Sequence, residues 1–191
     1  MRYRTAEPEA YDVDVDLGSG RRLTGTVSPV FGDRLVSVTY SKLDGKHLLQ
    51  SWIPLLALFA RDPAKDWHAV SIGRAKKRDM LRTEGMGRPE GDPAQLLSDL
   101  VAVYDAGRRE PIPLPIKTSY AWAAARHHGD NPESEARYRW KSDRYPAEDQ
   151  DPAHVRAWGE RADLSILIDK GLAGYSERVW LPMLRAQRGV E

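Results

Sequence analysis

The residues best suited to chemistry in this chain are cations. Arg74-Ala75-Lys76-Lys77-Arg78 is the densest basic run, and Arg82 and Arg88 follow it across a glycine-bearing stretch. Such a run can grip phosphates, each contact adding salt-dependent affinity for a nucleic acid. The same composition also suits a solvated loop. Arg21-Arg22 and the Lys42, Lys46 pair are secondary candidates. Asp12, Asp14 and Asp16 alternate along one segment and so share a face, where they could imitate a set of hard oxygen ligands. An acidic edge facing water is the simpler reading. His47, His68 and His154 are isolated in sequence, and the adjacent His127 and His128 cannot both face one ligand on a helix. Surface or hydrogen-bonded structural roles are expected for all five.

Several chemistries are excluded by what is missing. There is no cysteine, which removes a thiol nucleophile, a disulfide framework and a cysteine-ligated zinc site, and which suits a reducing cytoplasm. No Walker-type phosphate loop and no Gly-x-Ser-x-Gly elbow occurs. No cofactor and no bound metal are implied. The formal net charge is only +1 over 191 residues, so any contact with DNA must be local and not a bulk electrostatic coat. Hydrophobic residues make up 41% of the chain, enough for a core. The amino terminus lacks a signal-like apolar run, and the longest apolar stretch, Trp52–Ala60, is far shorter than the ~20 residues a membrane span requires. A cytoplasmic location and no membrane partner are expected.

The elements that must position these groups are legible from periodicity. Tyr11–Leu17 alternates with period two and predicts a strand. Gly18-Ser19-Gly20 supplies a turn. Arg21–Ser28 predicts a second strand, with Leu23, Gly25 and Val27 on one face. Arg34–Ser41 predicts a third, with Val36, Val38 and Tyr40 opposite Leu35, Ser37, Thr39 and Ser41. Together they form an antiparallel meander. Lys46–Ala60 is apolar nearly all round and predicts a buried helix. Pro54 requires either that the regular helix begin near Ser51 or that it kink. Asp66–Arg74 predicts a fourth strand. The rest reads as helical, with starts at Asp92-Pro93, Asn131-Pro132 and Asp151-Pro152. The first of these helices ends before Gly107, Pro111–Pro115 is an extended connector, and Leu172–Gln187 closes the chain. A soft boundary is expected between Arg78 and Asp92, giving a core over residues 1–80 completed by a helical extension over 81–191. Six tryptophans are present. Trp67, Trp158 and Trp180 read as core, whereas Trp122 and Trp140 lie in polar helical stretches and could stack on a base or fill an interface.

The order strand–strand–strand–helix–strand resembles the core of the restriction-endonuclease-like, or PD-(D/E)XK, nucleases. Leu23-Thr24-Gly25-Thr26-Val27-Ser28, Leu35–Ser41 and Leu49–Leu58, taken in order, resemble RecC carboxy-terminal domains. Ser71-Ile72-Gly73-Arg74, Leu97–Tyr104 followed by Arg109–Ser119, and Asp151-Pro152-Ala153-His154 before Trp158-Gly159 continue that series over roughly Tyr11–Leu184. The resemblance implies an α/β fold in which a mixed sheet is flanked by helices, with a helical carboxy-terminal extension.

An active nuclease of that class sets a carboxylate at the end of one core strand and an Asp/Glu-x-Lys pair on the next, all aimed at one metal-bound phosphate. Aligned with active relatives in the beta subunit, this sequence has Ser28, Thr39 and Ser41 at those positions. Neutral hydroxyls cannot hold the ion. Lys42 is one residue out of phase, and Asp33 sits in the preceding turn. The resemblance therefore implies no catalysis by this chain alone. It implies a structural, DNA-guiding part in a RecBCD-type helicase–nuclease (exodeoxyribonuclease V) that acts in double-strand break repair and homologous recombination. The implied partners are the beta and alpha subunits and DNA, as single-stranded tails or a fork. The rival readings are an active metal-dependent nuclease with unconventional ligands and a stand-alone interaction module.

Overall fold

A computed structural model describes residues 7–75, 80–142 and 147–189. Two compact units emerge, one running to Asp99 and resuming at Arg185, the other spanning Leu100–Leu184.

The first unit is built on a six-stranded mixed sheet whose spatial order follows the chain: β1 (Glu9–Gly18), β2 (Arg21–Phe31), β3 (Arg34–Lys42), β4 (His68–Arg74), β5 (Leu81–Met86) and β6 (Gln187–Arg188). Neighbours are antiparallel except β3 and β4, which run parallel. Parallel neighbours need a crossover, and α1 (Gly45–Arg61) supplies it. The predicted meander is present. Between β2 and β3, however, pairing is confined to Val30↔Leu35 and Phe31↔Arg34 beside the turn.

Helix α1 lies across β1 to β4. It buries Leu48, Trp52, Leu55, Leu56, Leu58 and Phe59 against sheet residues such as Val13, Val15, Val27, Leu35 and Ala69. Each large side chain so buried contributes roughly 1.5–3 kcal/mol. Of the two accommodations expected for Pro54, a helix beginning near Ser51 is overturned: α1 begins at Gly45 and carries Pro54 within it. The position explains the tolerance. Ile53 and Gln50 face solvent, so the carbonyl that the missing N–H leaves free can be hydrated.

The expectation that everything after residue 80 is helical fails at β5 and β6. Strand β5 occupies the stretch where the soft boundary is expected, and it pairs with β4 residue for residue from Ala69↔Met86 to Arg74↔Leu81. Polar Arg82, Thr83 and Glu84 give it little apolar alternation, which is why periodicity misses it. Helix α2 (Pro93–Arg109) runs through Gly107 instead of ending before it. A β-carbon there would meet Ile112 Cδ1 at 3.3 Å, so this glycine answers packing and not a helix stop.

The second unit is helical: the greater part of α2, then α3 (Ile116–His128), α4 (Pro132–Trp140), α5 (Pro152–Trp158), α6 (Leu164–Asp169) and α7 (Leu172–Arg185). The starts expected at Asn131-Pro132 and Asp151-Pro152 are correct. Asn131 accepts from the Ser134 N–H at 3.0 Å, and Asp151 from the Ala153 N–H at 2.9 Å. Proline at position 115 cannot cap α3 with its side chain; the buried Glu148 does so from a distance, accepting from the N–H groups of Lys117 and Thr118 at 2.9 and 2.7 Å. Trp140 is fully buried with Ala136, Leu164, Leu167 and Leu172, and its indole donates to the Ala162 carbonyl at 2.7 Å. Trp122 and Trp158 pack half-buried against the same cluster. The reading of Trp140 as a base-stacking or interface residue is therefore corrected. Its charged neighbours Arg139 and Lys141 face out while the ring faces in. Among the described residues no helix is long and apolar enough to cross a membrane.

Candidate nucleic-acid interface

The three positions at which the nuclease resemblance expects metal-holding groups all lie in the first unit. Ser28 is exposed on β2, Thr39 is half-buried on β3 and Ser41 is exposed. β3 is not regular there. Its register with β4 shifts between Val38↔Ile72 and Lys42↔Arg74, four residues on β3 against two on β4. Inside the bulge the Ser41 N–H donates to Thr39 Oγ1 at 3.1 Å. Gly73 on β4 lies directly under it; a β-carbon at Gly73 would fall 2.9 Å from Thr39 Cγ2 and 3.0 Å from the Ser41 carbonyl oxygen.

Deeper on the same face, Ser37, Ser51 and Ser71 join hydroxyls between β3, α1 and β4. Ser51 Oγ lies 2.8 Å from both Ser37 Oγ and Ser71 Oγ, and Ser37 donates to Ser71 at 3.3 Å. Ser51 and Ser71 are buried. These hydroxyls satisfy one another inside the layer where α1 meets the sheet. Sequence reading placed Ser37 on that face but had no means of bringing Ser51 and Ser71 to it.

The expected cations fall into two sets. One is committed to partners. Arg22 Nε bonds Asp14 Oδ1 at 2.8 Å on the exposed side of β1 and β2, and that hydrogen bond holds the Asp14 carboxyl below its ordinary range. Arg21 beside it also has an interaction partner. Arg82 Nε bonds Glu84 at 2.7 Å. Arg88 stacks over the Phe59 ring at 4.7 Å and donates to the Pro63 and Lys65 carbonyls at 3.0 and 3.3 Å, so it fastens the turn after α1. Of the acidic row on edge strand β1, Asp12 accepts from the Thr26 hydroxyl at 2.7 Å, and all three carboxylates are exposed. His127 and His128 are exposed side by side, and His154 Nδ1 lies 2.8 Å from the Glu148 carbonyl oxygen.

The second set converges. Lys42 and Arg74 are register partners where β3 and β4 end. Lys46 stands in the first turn of α1, two residues past the Asp44 cap. All three are exposed, and among the described residues none of them is in an ion pair. Lys76, Lys77 and Arg78 belong to the connection between β4 and β5 and lie outside the described residues. The Ala75 N–H donates to the Met80 carbonyl at 2.8 Å where that connection leaves and rejoins the sheet.

Beside these cations an apolar surface is open. Register places Val38, Ile72 and Thr83 in one row on the face away from α1. Val38 is 71% exposed, Leu81 75%, and Tyr40, in the bulge, 95%. Alternation assigns Tyr40 to the Val36 and Val38 face; that no described residue covers this end of it is not readable from alternation.

The fold class is that of a mixed α/β protein, with exposed cations where β3 and β4 end, and comparison with known proteins narrows it. The family model described as the RecC C-terminal domain matches residues 1–127, and the chain belongs to that family. It is 62% identical over 202 residues to the RecBCD enzyme subunit RecC of Mycolicibacterium smegmatis (strain ATCC 700084 / mc(2)155). It is 49% identical over 203 residues to the protein of the same description from Mycobacterium tuberculosis (strain ATCC 25618 / H37Rv). Each match takes in 100% of this chain and 18% of the relative, so the chain spans under a fifth of the length of these relatives.

Proposed function

We propose that this chain is a non-catalytic structural and DNA-guiding domain of a RecBCD-type helicase–nuclease subunit. It serves double-strand break repair and homologous recombination in the cytoplasm, in assembly with beta and alpha subunits. The observation that carries the reading is that neutral positions, Ser28 on β2 and Thr39 and Ser41 on β3, occur in the same sheet as exposed cations at the ends of β3 and β4 and the start of α1. Ser28, Thr39 and Ser41 carry no charge with which to hold a divalent ion. Where β3 and β4 end and α1 begins, Lys42, Lys46 and Arg74 present cations that are in no ion pair among the described residues. The strand order supports a PD-(D/E)XK-like core, with an antiparallel β1–β2–β3 meander, a crossover helix and then the parallel β4. A site that has given up its metal while keeping cations holds phosphates without cutting them.

The test uses the whole subunit that carries this domain, reconstituted with its beta and alpha partners. Charge reversal at Lys42, Lys46 and Arg74 is expected to slow ATP-dependent unwinding while assembly stays intact. Unwinding that is indifferent to these changes in a fully assembled complex counts against guidance.

A further inference from the structure

We propose that Tyr40, with Lys42 and Arg74, forms a stacking clamp for single-stranded nucleic acid, in which a base lies on the phenol ring and the flanking phosphates meet the two cations. This rests on the DNA-guiding reading above and gives it a site and a strand type.

Two observations carry it. The first is the exposure of Tyr40. At 95% it is the most exposed large hydrophobic side chain among the described residues, and it stands out from a bulge in β3, not from a flat stretch of strand. A bulge re-aims a side chain away from its neighbours. Val38, two residues earlier on β3, is 71% exposed and stands in a row with Ile72 and Thr83 on the sheet face away from α1, an apolar surface next to the bulge. Flat π-surface above an apolar floor accepts any base.

The second is the like-charged pair. Lys42 and Arg74 are register partners, and like charges set opposite each other across strands destabilise a sheet. Elsewhere in this unit the strand cations have carboxylates, Arg22 that of Asp14 across β1 and β2 and Arg82 that of Glu84 on its own strand. At the end of β3 and β4 no carboxylate among the described residues does so, and Lys46 adds a third cation nearby. A polyanion arriving there relieves the repulsion. A protein partner would be offered the same apolar floor, but it would not need three cations that no carboxylate among the described residues pairs. A duplex, with its bases stacked inside, would not use the ring.

The experiment compares binding of the 191-residue chain to a fluorescein-labelled fifteen-nucleotide oligothymidylate and to an abasic strand of equal length, by anisotropy over a salt series. The chain is expected to prefer the thymidylate. Tyr40→Ala should abolish that preference, with a loss of roughly tenfold for the thymidylate alone, and Tyr40→Phe should retain it. Lys42→Gln with Arg74→Gln should weaken both strands alike and lower the salt slope by about 1.4. Tyr40 is exposed, so its variants should leave thermal melting unchanged, and the Lys42 and Arg74 double variant, relieved of its like-charge repulsion, should melt no lower than the parent. Equal affinity for the two strands, or a Tyr40→Ala chain that binds like the parent, overturns the clamp. If the charge-reversed subunit still unwinds slowly in that event, DNA guidance stands without it. Because the chain has no cysteine, a dye can be placed at Thr83→Cys, beside the patch. Should the dye respond to the beta or alpha subunit and not to oligothymidylate, the patch is a protein-docking surface and the clamp is wrong.

Discussion

A β-carbon at Gly73 would stand 2.9 Å from Thr39 Cγ2, closer than packed carbons approach. β4 can therefore lie under the β3 bulge only because it carries a hydrogen at that point. The Ser41 carbonyl oxygen at 3.0 Å and Leu43 Cβ at 3.1 Å close the space on the other sides. Gly73→Ala is expected to destabilise the chain by about 1–3 kcal/mol through overpacking. Gly25 on β2 has nothing within 4 Å of the same added atom, and Gly25→Ala should be neutral or slightly stabilising. Urea unfolding of the two variants distinguishes a close strand contact from a general intolerance of change in the sheet.

The serine cluster makes a prediction about coupling. Ser51→Ala removes the hydroxyl common to two 2.8 Å contacts and should cost about 1 kcal/mol, because Ser37 and Ser71 keep each other as partners. Ser51→Ala with Ser71→Ala should cost less than the sum of the singles, since the second change removes a group already short of a partner. Additive losses in a double-mutant cycle would show that the hydroxyls act independently.

Trp140 and Tyr40 should respond oppositely. Trp140 is fully buried with its indole donating to Ala162, and Trp140→Ala is expected to cost about 3–5 kcal/mol. Tyr40→Ala should leave thermal unfolding unchanged. Sequence reading offered Trp140 as a ring available to a base, and the structure makes Tyr40 the available one. Helical spacing does not reveal which side of α4 meets the α6 and α7 residues Leu164, Leu167 and Leu172, so Trp140 looked like part of a polar stretch.

Asp163 caps α6 (Leu164–Asp169), accepting from the Ser165 N–H at 3.0 Å. That hydrogen bond, helped by Arg137 and Lys141, lowers its carboxyl from the ordinary value. A depressed carboxylate contributes stability above about pH 4, and the contribution disappears as pH falls through the lowered value. Asp163→Ala should cost about 1 kcal/mol at neutral pH, and the gap to the parent chain should narrow progressively below pH 4. A gap that is constant in acid would mean that the charge on the cap contributes nothing.

How much was legible follows from which signals are local. The meander, the buried helix and the capped starts at Asn131 and Asp151 each have a signature within about ten residues, and each is present. β5 and β6 have none: Gln187–Arg188 is a strand only because Gly85 and Met86 offer it an edge. The site divided in the same way. Neutral hydroxyls at Ser28, Thr39 and Ser41 are visible in the sequence, as are Lys42, Lys46 and Arg74. The bulge that presents Tyr40 arises from a register shift between Val38↔Ile72 and Lys42↔Arg74, partners distant in the chain, and no pattern within β3 encodes it. In the sequence Arg22, Arg82 and Arg88 are indistinguishable from Arg74, because the partners that engage them come from the fold.

The central claim, that this domain holds DNA without cutting it, is tested most directly by incubating the purified chain with end-labelled single-stranded and duplex DNA in magnesium or manganese and resolving the products on a denaturing gel. The account predicts intact strands at every metal concentration. Metal-dependent fragments that vanish on Asp33→Asn would contradict it, placing a working ion site beside the β2–β3 turn.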